Sequence, residues 1–392
     1  MKRPSKILLS GLAAFGLTAS TFGLTIVPTF DSSITNSPNA SAMIAAINRA
    51  IQVFQTNIVD NQTVYINYVS DSTVGLGQSS TWGNTYLYSD YLTALRNKAT
   101  SANDTNGLHK LTNNNVDPLV GSSQIYMNLP LAVLMGLDSG TGPDGFDATI
   151  YLNTSIMNFT RPPGNHSKYD MQQVTEHEMD EVLGTPSNLP DTTMVSPIDL
   201  FRYTTNLVRT YTTSGDNSYF SVDGTNLLAR FNMDSGGDYA DWYSVSVNWA
   251  PPGQTPHPQV QDAFTPPNTA LDLGTNELAM LDVIGWTLAA NVPPPPVLKI
   301  VNSGATKVTL SWSNNVSGFV LQERTNLTTG LWSNSTSGST NPVVVTAAGT
   351  RKFYRLYKAA TPSVAMVETA AVQPKRTNPL RLVTRVSLPQ KP

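Results

Sequence analysis

In residues 41–54 the apolar side chains fall at Met43, Ile44, Ile47 and Ile51, the spacing of a helix with one buried face. Ser41 stands where a cap is expected. The flanking stretches 25–34 and 64–69 carry the shorter alternation of strands. Strand, helix and strand at this spacing predict a parallel crossover unit. Residues 86–95 read as a second helix capped by Ser89, 100–121 as an Asn- and Asp-rich loop, and 147–153 as a strand. The apolar run 125–137 fits either a strand or a helix.

A different pattern follows at residues 174–184, VTEHEMDEVLG. The spacing predicts a helix that begins near Asp170, anchored by Met179, Val182 and Leu183 and stopped by Gly184. His177 and Glu181 then stand one turn apart on the same face, able to grip one ion together. Glu178 projects about 100° round from His177, placed to address a water on that ion without ligating it. This is the spacing of the zinc-protease helix H-E-x-x-H with the second histidine replaced by Glu181. A carboxylate is an acceptable zinc ligand, though it acidifies a bound water less than imidazole and leaves Glu178 more of the proton work. The bland alternative is a solvated acidic face formed by Glu176, Glu178, Asp180 and Glu181.

Mixed strands and helices ahead of this helix imply a small α/β (α+β) domain with a mixed sheet, the helix lying across it and its polar face lining a cleft. Downstream, residues 219–231 predict a hairpin around Asp223 and Gly224, and 232–268 are irregular. Residues 276–286 predict a helix stopped by Gly285, with Asp282 either a buried partner or a surface acid. The prolines of 291–297 mark a stiff linker. Beyond it, short strands at 307–312, 318–322, 342–346 and 352–357 predict a small all-β sandwich over 298–358. Residues 359–392 lack periodicity and read as a basic disordered tail.

Composition narrows the chemistry. None of the 392 residues is cysteine, which excludes disulfides, thiolate catalysis and Cys-ligated zinc. A net charge of −3 gives no reason to expect nucleic acid as a partner. Residues 1–23 have the basic start (Lys2, Arg3, Lys6) and short apolar run of a secretory signal, and nothing later is apolar enough to span a bilayer. The expected product is therefore secreted, with its first domain at 24–290.

HEMDEVLG (177–184), DLFRY (199–203) and LAMLDVIGW (278–286), taken together and in this order, resemble exported bacterial zinc metalloproteases of the metzincin-like zincin group. That resemblance implies a zincin-like catalytic domain, zinc held by His177 and by Glu181 in place of the second histidine, and Glu178 as general base. It implies a secreted endopeptidase that acts on protein or peptide through a metal-activated water. In the group, a third ligand stands three residues past the glycine; here that residue is Ser187. Asp199 is the leading substitute, either a ligand or a partner of Arg202 and backbone amides. His166 and His257 are alternatives, His109 is set aside, and Met194 is a candidate for a methionine turn beneath the metal. The donor set also admits manganese or calcium. Residues 298–358 resemble fibronectin type III-like modules, which bind or space and imply contact with an extracellular polymer. The competing function is an inactive protease-like scaffold or adhesin that binds extracellular glycan or protein.

Overall fold

β1 (Thr25–Phe30) leads through α1 (Ser32–Thr35) and α2 (Ala40–Asn57) into β2 (Thr63–Ser70). β1 and β2 pair in parallel with Thr25 opposite Thr63, the crossover that the periodicity predicts. α2 buries Met43, Ala46, Ile47, Ala50, Ile51 and Phe54. It starts after Asn39, with no side-chain cap from Ser41.

β3 (Gly77–Leu87) runs on until α3 (Tyr88–Lys98) begins, so Ser89 lies inside that helix and does not cap it. α4 (Ala102–Lys110) occupies the stretch that reads as loop. Ser101 and Asp104 form its capping box, so polar residues that resemble a loop supply a helix start. Gly107 lets α4 approach its neighbours closely, because a Cβ there would lie 2.7 Å from Val283. The ambiguous apolar run divides at Asn128 into β4 (Gln124–Asn128) and α5 (Leu129–Leu134). β5 (Ala148–Leu152) follows.

These strands make one mixed sheet in the order β1-β2-β5-β3, closed by a C-terminal strand, Leu380–Val386. β1, β2 and β5 are parallel, and β3 is antiparallel to β5. The C-terminal strand pairs antiparallel with residues 77–83 of β3, while β4 pairs with residues 83–87. Part of the expected disordered tail is therefore sheet. Its sequence alternates Leu380 and Leu382 with Arg381, a strand pattern whose partner lies far away along the chain.

β6 (Met157–Asn158) and β7 (Tyr169–Asp170) pair in parallel and deliver the chain into α6 (Met171–Val182). After α6, β8 (Arg202–Tyr203), β9 (Tyr219–Phe220) and β10 (Ala229–Arg230) form a small antiparallel sheet. Gly224 takes φ +64° in the hairpin turn between β9 and β10. α7 (Thr275–Ile284) ends at Gly285, whose φ of +126° suits glycine. A continuous apolar core joins α2, the sheet, α6 and α7, with Ile47, Phe54, Ile150, Met179 and Trp286 at its centre.

The computed structural model describes residues 23–111, 115–215, 217–244, 257–291, 298–304, 307–312, 319–326, 331–346, 351–357 and 380–386. The expected signal segment, nearly all of the linker and most of the tail lie outside the described residues. No helix among the described residues is long and apolar enough to cross a membrane. The chain divides into one unit of Met1–Ala289 with Asn378–Pro392, holding the elements above, and a second of Ala290–Thr377.

The second unit contains β11 (Lys299–Gly304), β12 (Lys307–Ser311), β13 (Val320–Arg324), β14 (Ser333–Asn334), β15 (Val343–Thr346) and β16 (Phe353–Tyr357). They form two three-stranded antiparallel sheets, β11-β12-β15 and β14-β13-β16. The fully buried core is small: Leu310, Leu321, Val343 and Val345. Fold class is thus mixed α and β, with one mixed sheet and several small sheets.

Candidate metal centre

α6 is fixed at both ends before any chemistry is considered. Asp170 caps its start, accepting from Gln173 N at 2.8 Å, and is itself held by Arg161 at 2.9 Å. At the other end Gly184 takes φ +117°. The last carbonyls are answered from elsewhere: Asn128 Nδ2 donates to Glu181 O at 2.7 Å and Trp286 Nε1 to Leu183 O at 2.8 Å.

The helix is buried on all sides. Met179, Val182 and Leu183 enter the core as expected, but the polar side chains are equally enclosed: His177 and Glu181 are 1% exposed, Glu178 and Asp180 0%. The acidic run is buried and is not a solvated face. The reason lies in residues 257–265, whose Val260 and Gln261 close over His177.

His177 Nδ1 donates to Val260 O at 3.0 Å, which fixes the ring and turns Nε2 inward. Nε2 lies 3.5 Å from Glu181 Oε1 and 3.5 Å from Asp241 Oδ1. The three ligand atoms all lie within 4.8 Å of one another. A tetrahedral zinc at about 2.0–2.2 Å from its donors separates them by roughly 3.3–3.6 Å. One nitrogen and two carboxylate oxygens at this spacing fit a divalent ion. Ser79 Oγ, on β3, donates to Glu181 Oε2 at 2.9 Å and leaves Oε1 toward the centre. Gln261 Nε2 stands 3.2 Å from His177 Nε2 and donates to Asp241 Oδ1 at 2.9 Å.

The third group brought to this cluster is Asp241; Asp199, the expected third ligand, lies elsewhere in the fold. Asp199 lies in a short 3₁₀ turn, Pro197–Phe201, as the third residue of a capping box with Ser196. Its oxygens accept from Ser187 Oγ at 2.5 Å, Asn188 N at 3.0 Å, Ser196 N at 3.0 Å and Ser196 Oγ at 2.9 Å. A carboxylate so occupied ties together the loop around Ser187 and Ser196. Ser187, at the position of the group's third ligand, is consumed in the same turn. The remaining candidates lie apart from the cluster. His166 and His257 are exposed, bonded to Asn268 and the Pro258 carbonyl. His109 ends α4. Met194 serves its loop through its carbonyl, which accepts from Asn188 and Tyr211 at 2.9 Å each. Asp282 is buried and binds Ser101 Oγ at 2.9 Å.

Residues from DLFRY and from the start of α7 support the segment that carries Asp241. Arg202 of DLFRY donates to Tyr239 O at 2.6 Å and lies over the Phe231 ring. Trp242 Nε1 donates to Glu277 Oε1 at 2.9 Å, in the first turn of α7. The Trp242 backbone pairs with Gln261 and Ala263 at 2.8 and 3.0 Å. The segment around Asp241 is therefore held from β8, from α7 and from the covering segment together. Nothing in the local sequence signals this beyond an Asp-Trp pair in an aperiodic stretch.

Electrostatics mark the site as unbalanced. Both oxygens of Glu178 and both of Asp180 lack a hydrogen-bond donor. Burial, and then the neighbouring Glu181, hold the Glu178 carboxyl well above the usual range. Burial and Glu277 do the same for Asp180. Burial also raises Asp241 against the pull of His177. For His177, burial disfavours the charged ring, but Asp241 and Glu181 outweigh it and push the imidazole up to about 10. Such crowding of acids is relieved by a cation or by protons. Gly77 of β3 makes room for Glu178, since a Cβ there would lie 2.4 Å from Oε1.

Compared with protein-family models, curated proteins and solved structures, the chain matches none.

Proposed function

We propose that this chain is a secreted, metal-dependent endopeptidase, zinc being the expected ion, with a zincin-like first domain and a fibronectin type III-like module after it. One observation carries the reading: His177, Glu181 and Asp241 converge their ligand atoms, and Glu178 stands beside them with its oxygens unanswered by any donor. His177, Glu181 and Asp241 would hold the ion, which when bound polarises a peptide carbonyl and acidifies a water. Val260 keeps the His177 ring in the ligating tautomer, and Ser79 orients Glu181. Glu178 takes the proton of the attacking water and returns it to the leaving amine. Protein or peptide is the substrate class, and the C-terminal module serves attachment to an extracellular polymer. The same donor set would take manganese, or calcium with added waters.

A second reading, an inactive protease-like scaffold, has one observation in its favour: the centre is enclosed, with His177, Glu178 and Glu181 all buried.

Metal content of the purified protein, measured by mass spectrometry, tests both. About one zinc per chain is expected, lost in Glu181→Ala and Asp241→Ala. Glu178→Gln should keep its zinc and lose peptide hydrolysis by roughly a hundredfold or more. A chain that binds no divalent ion ends the peptidase reading; a zinc-loaded chain on which Glu178→Gln changes nothing favours the scaffold.

A further inference from the structure

The outermost strand of the main sheet comes from the far end of the chain. Leu380–Val386 pairs antiparallel along residues 77–83 of β3, with Val386 opposite Gly77 and Thr384 opposite Ser79. Those two β3 residues touch the candidate centre: Gly77 leaves the space that Glu178 fills, and Ser79 donates to Glu181. Any polypeptide bonded to this stretch of β3 therefore runs alongside the base and one ligand. α6 itself packs close to the C-terminal strand as well as to β3.

We propose that this edge of β3 is a docking site for an extended peptide, and that the C-terminal strand is its tethered, exchangeable occupant. Three features support the assignment. The strand is last in the sheet order, so its departure leaves β1, β2, β5 and β3 paired as before. Strand addition on an exposed edge uses main-chain hydrogen bonds and accepts many sequences. The strand follows the second unit, so the main sheet's other five strands, β1 to β5, precede it in the chain. While it is seated, another peptide is kept from the edge and the chain is latent; displacement or cleavage of the tail opens the edge. Docking and exchange stand independently of the catalytic reading, whereas the gain in hydrolysis rests on it.

The probe is a fluorescent synthetic peptide of residues 378–388, followed by anisotropy. It is added to the full chain, to a chain ended after residue 377, and to a full-length double variant, Leu382→Pro with Val383→Pro. Two adjacent prolines must strike one hydrogen-bonded position of the ladder whichever way it alternates. Both altered chains should bind the peptide at least tenfold more tightly than the parent. Hydrogen exchange on the unmodified chain gives a second measure, with amides of 380–386 expected to exchange at least tenfold faster than those of β2. Equal peptide binding by parent and folded variants overturns the proposal, as does protection of 380–386 equal to that of β2. Peptide hydrolysis should rise with binding; binding without hydrolysis sustains the docking edge and sinks only the peptidase reading.

Discussion

Asp199 and the acids of α6 are both buried, and they are treated in opposite ways. Around Asp199 four donors reach the two oxygens, and Arg202 stands 3.9 Å away. On α6, Glu178 and Asp180 have no donor at all, although each is 0% exposed. A buried carboxylate that is fully answered holds structure together. One that is unanswered destabilises the metal-free fold and is retained where an ion, a proton or a substrate completes it. The contrast separates the acid that shapes the loop from the acids on α6 left without a donor.

The same substitution made on both sides gives the sharpest contrast. Asp199→Asn turns an oxygen surrounded by donors into a donor and removes the counter-charge of buried Arg202. Loss on the order of 3–5 kcal/mol is expected in denaturant unfolding. Asp180→Asn should shift the metal-free protein by less than about 1 kcal/mol, and upward if at all, because no hydrogen bond is lost. Equal losses at the two positions would erase the distinction.

Gly77→Ala probes the space that Glu178 fills. With Glu178 Oε1 at 2.4 Å and Val174 Cγ1 at 2.9 Å from the new methyl group, the helix and strand must shift. A loss of about 1–3 kcal/mol is expected, together with reduced hydrolysis at unchanged zinc content. Loss of zinc without loss of stability would instead mean that the centre, not the packing, depends on Gly77.

Asp147, in the bend just before β5, gives a pH signature. Burial raises it to about 6, opposed by the hydrogen bond from Tyr65 N at 2.8 Å and reinforced by Asp144. A carboxyl raised in the folded state favours folding while protonated, so stability falls as pH climbs from about 4 to about 6. Asp147→Asn should remove that fall and exceed the parent by about 2 kcal/mol at pH 7, the gap closing below pH 4. Parallel unfolding curves across this range would refute it.

Periodicity and punctuation made much of this molecule legible. The spacing of Met43, Ile47 and Ile51 predicts α2, Gly184 and Gly285 end α6 and α7, and alternation marks β2, β5 and most strands of the second unit. Legibility failed where a polar segment was a helix start, at Ser101 and Asp104, and where a strand's partner was distant, at Leu380–Val386. Burial of the acidic face was equally hidden, since nothing around HEMDE announces the covering of Val260 and Gln261.

Within the centre, His177, Glu178 and Glu181 follow from one helical turn, because side chains three and four residues apart share a face whatever surrounds them. The sequence by itself determined that grouping, along with the absence of thiol chemistry. Only the tertiary structure decided the third corner. Asp199 and Asp241 are alike as residues; hydrogen bonds from Ser187, Asn188 and Ser196 occupy the one, while Arg202, Trp242 and Gln261 carry the other to within 3.5 Å of His177. A carboxylate's role depends on which donors reach it first, and those donors come from segments that only the fold brings together.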